Sequence, residues 1–259
     1  MSDHEENEYT DSFVGALELV WGDGFLSPGG KEEIALFLEG LDISGKEVLD
    51  VGCGIGGCDV VLVRDFDAAH VHGIDIERPL LRRCVERAER EGLSEHLSYE
   101  KVDPGPFPLP DESFDVVFSK DAMIHIEDKH ALFAEVFRVL RPGGVFLASD
   151  WMRRDEEPPG PEAQHWLDIV GLTFGMHSPP FYIDALEKAG FVNCSTEDRN
   201  EFVTRVLRAD HTLITGEGRE ELIRRTGEEA QHFINVWHAA LRAAEVGELR
   251  PGHLRAFKP

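Results

Sequence analysis

Apolar positions along this chain follow two periods. Short runs rich in Val, Ile and Phe recur at Val48-Leu49-Asp50-Val51, Val71-His72-Gly73-Ile74 and Phe114-Asp115-Val116-Val117-Phe118, and read as buried strands. Between them apolar residues fall at helical spacing, as with Phe13, Leu17 and Val20. The pattern predicts helices over 9–20, 31–41, 57–65, 79–91 and 129–140, the last with Leu132, Phe133, Val136, Phe137 and Leu140 on its core face. It predicts strands over 47–51, 69–75, 97–102, 114–119 and 145–150. Arg141-Pro142-Gly143-Gly144 reads as a helix stop. Beyond Trp151 come a charged, proline-rich loop (153–161), helices over 162–175 and 182–189, a strand over 191–197, helices over 201–213 and 219–245, and a final strand over 253–257. Strand alternating with helix is the signature of an α/β fold, here a mostly parallel, doubly wound seven-stranded sheet with helices on both faces. Residues 1–30 form an N-terminal helix and capping loop, 31–150 a ligand-binding core, and 183–259 the rest of the same domain. The insert 151–182 falls over the carboxyl ends of the strands, where such sheets bind ligands, and reads as a substrate lid.

The first strand runs into a glycine-rich turn, Gly52-Cys53-Gly54-Ile55-Gly56-Gly57. Glycine permits positive φ and close approach of a ligand to the backbone, and the helix beyond offers free N–H groups. Gly52, Gly54 and Gly56 fit G-x-G-x-G, one residue shorter than the dinucleotide fingerprint. That spacing suits a carboxylate or sugar better than a pyrophosphate. A turn of this kind also occurs with no ligand at all. Asp75 ends the second strand about 20 residues on, where an acid accepts hydrogen bonds from both ribose hydroxyls. Trp21 to Gly30 is a loop dense in glycine and aromatics, fit either to exclude water from a ligand or to pack on the core.

Composition narrows the function. The 259 residues carry a formal charge of −24, which argues against nucleic-acid backbone and anionic membrane as partners and mildly favours a cationic ligand. There is no long apolar stretch, and residues 1–7 are polar and acidic, so a frayed tail, no signal peptide and a cytoplasmic protein are expected. Cys53, Cys58, Cys84 and Cys194 form no C-x-x-C pair and read as free thiols. His70-x-His72 finds no third ligand at metal spacing, so no metal site is expected.

The chemistry gathers after the fourth strand, at Ser119-Lys120-Asp121-Ala122-Met123-Ile124-His125. Asp121 is placed either to bind an ammonium or simply to cap a helix, and His125, four residues on, either to take its proton or to pack in the loop. Tyr9 is placed to hydrogen-bond that histidine and cover the site.

Val48 to Gly57, Gly73 to Ile76, the fourth strand and the Arg141-Pro142-Gly143-Gly144 segment together resemble Rossmann-like class I S-adenosylmethionine (SAM)-dependent methyltransferases. The resemblance narrows at Asn7-Glu8-Tyr9-Thr10-Asp11, Gly24-Phe25-Leu26-Ser27-Pro28-Gly29-Gly30, the segment from Ser119 to Lys129, and Gly252-His253-Leu254-Arg255-Ala256. These are similar to the phosphoethanolamine N-methyltransferase family. The likeness implies SAM as cofactor, S-adenosylhomocysteine as product and a small amine as acceptor. It implies a catalytic latch of Tyr9 and His125, an amine-binding Asp121, and cofactor contacts at Leu26, Ser27, Gly52, Asp75, Ile76 and Asp103. Gly54, Gly56, Pro104, Ser119 and Lys120 line the same mouth. Lys120 stands where many members have arginine. Registered on Tyr182 and Trp237, the family's phosphate-binding places hold Leu172, Phe174 and Ala240; with Trp151 these are the expected acceptor wall. An apolar wall would exclude a phosphate unless Arg153, Arg154 or Arg242 supplies charge in a shifted register. An N-methyltransferase of a small, phosphate-free amine is the leading reading. Phosphobase N-methylation, O- or C-methylation of a small molecule and a SAM-binding protein without transfer activity remain open, as does the oligomeric state.

Overall fold

The computed structural model describes residues 8–172 and 174–259; the expected acidic tail over 1–7 lies outside the described residues. Seven strands form one sheet: β1 (Glu47–Val51), β2 (His70–Asp75), β3 (Leu97–Lys101), β4 (Phe114–Lys120), β5 (Leu140–Asp150), β6 (Val192–Asp198) and β7 (Gly252–Phe257). Their order is β3-β2-β1-β4-β5-β7-β6. β1 to β5 pair in parallel, and β7 runs antiparallel between β5 and β6. The order reverses between β1 and β4, so the chain leaves those two strands in opposite directions and opens a crevice at their carboxyl ends. Gly52 and Asp121 stand at its two lips.

β4 shows why both faces must be covered. Val116 and Phe118 pack with α2 (Gly30–Phe37), α3 (Gly57–Phe66) and α4 (Arg78–Glu91), while Val117 packs on the opposite face with α5 (Lys129–Val139) and α7 (Pro179–Ala189). Such a strand reads as a continuous apolar run because neither face meets water. A third core lies beyond the strand ends. There α1 (Asp11–Trp21), α6 (Pro161–Val170), α8 (Asn200–Thr215), α9 (Arg219–Thr226) and α10 (Ala230–Glu245) bury Leu17, Trp166, Leu207, Leu222, Phe233 and Trp237 together with Ile124, just past β4. The insert after β5 therefore shares its core with α1 and the C-terminal helices.

Four boundaries differ from the sequence pattern by four residues or more. α2 ends at Phe37, short of residue 41. The helix expected over 162–175 stops at Val170, because Gly171 takes a left-handed cap (φ 72°). The helix expected over 219–245 is broken at Gly227 (φ 59°, ψ −126°), which turns α9 onto α1 and sends α10 between α6 and α8. Arg141-Pro142-Gly143-Gly144 ends α5 but belongs to β5: Phe114 pairs with Leu140 and Val116 with Val145, so the segment loops out of the ladder as a bulge. Among the described residues no helix is long and apolar enough to cross a membrane.

Candidate active site

Gly52, Gly54 and Gly56 all hold positive φ, at 76°, 57° and 78°. A Cβ on Gly52 would stand 2.2 Å from the Cβ of Ala122, and one on Gly57 would stand 2.1 Å from the Gly24 carbonyl oxygen. The doubled glycine thus has a cause of its own: the capping loop lands on the first turn of α3, where the Gly57 amide donates to Gly24 at 3.1 Å. Leu26 lies over Gly54. Asp75 faces the turn, accepting from the Gly54 amide at 3.0 Å and the Glu77 amide at 2.9 Å. Burial holds its carboxyl above the ordinary range in spite of these donors. Ile76, 48% exposed, stands beside it as an uncovered apolar surface, as expected of a cofactor contact. Asp103 and Pro104 are exposed at the end of β3, which the Val102 amide ties to the Asp75 carbonyl at 3.0 Å. An open glycine turn, an acid and a bare apolar side chain on one rim suit a nucleoside with a polar tail, and so fit SAM.

The capping loop is held by two buried cations. Lys120 Nζ donates to Ser27 Oγ at 2.9 Å, the Pro28 carbonyl at 2.7 Å and Asp121 at 3.1 Å. Arg87, from α4, donates to the Ile55 carbonyl at 2.9 Å and both oxygens of Asp23 at 2.9 and 3.0 Å. Lys120 and Ser27 therefore join the loop to β4. The Ser119 hydroxyl is turned inward and donates to the Val51 carbonyl at 2.8 Å, linking β4 to β1.

Tyr9, Asp121 and His125 come together. The Tyr9 hydroxyl and His125 Nε2 share a hydrogen bond at 3.1 Å across 116 residues of sequence. Burial, then the charges of Asp75, Glu77, Glu8 and Asp121, push the Tyr9 phenol far up, which sets that hydroxyl among the carboxylates of the crevice. Burial and the nearby Lys129 hold His125 down to about 4, so its ring is neutral at physiological pH. Asp121 has φ 56°, a conformation that aspartate tolerates better than most residues. Its carboxylate accepts from the Ser149 hydroxyl at 2.7 Å as well as from Lys120.

The expected acceptor wall is partly assembled. Trp151 stacks on Trp166 (centroids 5.8 Å), Trp166 on Phe174 (5.2 Å), and Phe174 meets His125 edge-on (5.3 Å). Leu172 is half-buried just past α6. Ala240 and Trp237 are buried in the helical core, Trp237 against Trp21 (5.7 Å). Tyr182 is not in the wall. Its side chain is fully buried between the sheet and α5, and its hydroxyl donates to Asp150, whose carboxyl burial pushes up to about 7. Arg154 pairs with Asp155 at 2.8 Å and Arg242 with Glu245 at 2.7 Å. Arg153 pairs with Glu156, keeps a buried Nε without a hydrogen-bond partner among the described residues, and with Arg154 lines a pocket that also touches Phe174. Among the described residues no group of three or more His, Cys, Asp or Glu is disposed to hold a metal. His72 instead bonds Ser98 at 2.8 Å.

Three residues missing from the sequence reading build this geometry: Glu77, Arg87 and Lys129. Lys129 is 1% exposed, and its ammonium is clamped by the carbonyls of Met123, Ile126 and Gly175. It pins the 3₁₀ turn that carries His125. A lysine on the buried face of an amphipathic helix was the visible signal. Glu77 had only its closeness to Asp75, and Arg87 looked like one more cation of a charged helix.

Comparison with known proteins bears on the domain and the fold. The model of a methyltransferase domain matches residues 48–144. Phosphoethanolamine N-methyltransferase 1 of Arabidopsis thaliana is 35% identical over 97% of this chain and 50% of its own length. The Plasmodium falciparum phosphoethanolamine N-methyltransferase is 26% identical over 98% of this chain and 94% of its own. The chain spans about half the length of the plant relatives it matches. In fold, it superposes with a TM-score of 0.89 on Haemonchus contortus phosphoethanolamine N-methyltransferase 2, solved with phosphomonomethylethanolamine and S-adenosylhomocysteine. That match is at 24% identity and covers 98% of this chain and 59% of the other.

Proposed function

We propose that this chain, a class I SAM-dependent methyltransferase close to the phosphoethanolamine N-methyltransferase family, transfers a methyl group to the nitrogen of a small amine. One observation carries the reading: a neutral histidine bonded to a tyrosine (3.1 Å) lies four residues from a buried carboxylate at the same strand end. An amine uses both groups, because it arrives as an ammonium and must leave that state to react. SAM, when bound, supplies a methyl carbon made electrophilic by its sulfonium.

Asp121 binds the ammonium by a charge-assisted hydrogen bond, while Ser149 and Lys120 fix the orientation of its carboxylate. His125 accepts the proton, leaving a lone pair on nitrogen. With SAM held at the glycine turn and Asp75, that pair would be aimed at the methyl carbon, and the sulfonium would take up the electrons of the bond it gives up. Tyr9 orients the imidazole and covers the site. The low basicity of His125 limits its driving force as a base but keeps it unprotonated and ready.

The relatives favour a narrower reading, with a phosphobase as acceptor. The wall favours a neutral far end, since Trp151, Trp166 and Phe174 offer rings where a phosphate needs cations or donors. Formation of S-adenosylhomocysteine from phosphoethanolamine and from a panel of phosphate-free amines, at matched concentration, decides between them. Turnover of the neutral-ended amines is the expected result. Turnover of phosphoethanolamine alone, at micromolar KM, moves the phosphate site elsewhere and assigns the relatives' substrate. Turnover of no amine sinks the N-methyltransferase reading.

A further inference from the structure

The backbone amides of Glu8 and Tyr9 donate to a single oxygen, Glu77 Oε1, at 3.0 and 3.2 Å. Glu77 lies two residues past Asp75, and its own amide donates to Asp75 Oδ1 at 2.9 Å. One residue therefore separates the expected ribose acid from the segment carrying Tyr9. Near that segment, the Asp11–Arg83 pair at 2.6 Å is a weak tie, because Asp11 is 95% exposed. The other oxygen of Glu77, Oε2, is buried and has no hydrogen-bond partner among the described residues. A buried carboxylate oxygen without a donor costs free energy. The closed arrangement thus carries a penalty that a donor entering the crevice would remove, and a ribose offers two hydroxyls at this rim.

We propose that Glu77 is a positioning residue that makes closure of residues 8–10 over the acceptor conditional on an occupied ribose pocket. Without a nucleoside, the carboxylate gains by turning to water and releases the two amides. With Asp75 engaged and Oε2 satisfied, the turn from Asp75 to Glu77 is fixed, Oε1 holds the amides, and Tyr9 meets His125. Only the stated difference in Glu77's interactions between the two states is needed for the coupling. The inference rests on the Tyr9–His125 reading above, and its test separates the two.

Hydrogen exchange of the peptide spanning residues 8–13 is measured with and without S-adenosylhomocysteine, which binds without turnover. In the wild type the ligand is expected to slow exchange of the Tyr9 amide roughly tenfold or more. Glu77→Ala and Glu77→Asp, the latter one methylene too short to reach, should abolish that protection. Wild-type protection in Glu77→Asp overturns the proposal, even if Glu77→Ala fails to fold. On kcat, the loss in Glu77→Ala should vanish in a Tyr9→Phe background, because the two act through one contact; losses that multiply also overturn it. A Tyr9→Phe variant with wild-type kcat rejects the latch reading instead, and leaves the exchange result to judge Glu77.

Discussion

The two halves of the crevice are built from different materials. The cofactor half is mostly backbone: three left-handed glycines, a helix start and an acid held by amides, all between Gly52 and Glu77. The acceptor half is mostly side chains brought from far apart: Tyr9 ahead of α1, Asp121 and His125 after β4, Trp151 after β5, and Phe174 beyond α6. Backbone sites tolerate little change at their glycines and much around them. Side-chain sites allow the substrate to change by exchanging single residues while the fold stays as it is. The same cofactor can then serve different acceptors.

The sharpest way to break the comparison is at the base. His125→Ala should lower kcat by roughly 10²–10⁴ and leave SAM affinity nearly unchanged, as measured by single-turnover kinetics and calorimetry. Complete loss of SAM binding, beyond the part coupled through Glu77, would place His125 on the cofactor side instead. The same residue sets a pH limit. Burial lowers the folded-state pKa of His125 from 6.5 to about 4, so the ring stays neutral as pH falls through 6.5 and takes its proton only near 4. The unfolded chain takes that proton earlier, so stability from the buried neutral ring is lost as pH falls over that window. Ring resonances titrating near 6.5 in the folded protein would place His125 in water and refute the arrangement.

On the cofactor side the expected losses are smaller and fall on binding. Gly52→Ala forces a Cβ to 2.2 Å from Ala122 at a φ of 76°. Backbone strain alone is about 1–3 kcal/mol, so SAM affinity should fall on the order of 100-fold. Asp75→Ala should cost about 1–3 kcal/mol of SAM binding, the scale of a charged hydrogen bond. Unchanged affinity in calorimetry would remove Asp75 from the site.

The contrast also explains what could be read from the chain. Backbone sites leave local signatures: glycine spacing and an acid at a strand end are visible within 30 residues, and the doubly wound sheet follows from strand–helix alternation. The pairing of Tyr9 with His125 has no local signature, and its reading as a latch leaned on resemblance. Glu77 was invisible because it acts through main-chain amides, which every residue has. Tyr182 was misplaced because a tyrosine on an amphipathic helix looks the same facing a cleft or a core; Asp150, 32 residues away, determines which. The break at Gly227 was hidden because helical periodicity runs on through it, and only the glycine marks it.

The carbonyl clamp at Lys129 has a kinetic consequence. One ammonium binds Met123 and Ile126, which bracket the base, and Gly175, the neighbour of Phe174. The Gly175 amide in turn donates to the Ile124 carbonyl at 2.7 Å. The ring wall and the proposed base are thereby joined through one ammonium and one backbone bond. If product leaves past Phe174, the step that frees it also dismantles the proton acceptor, and each catalytic cycle ends by rebuilding it.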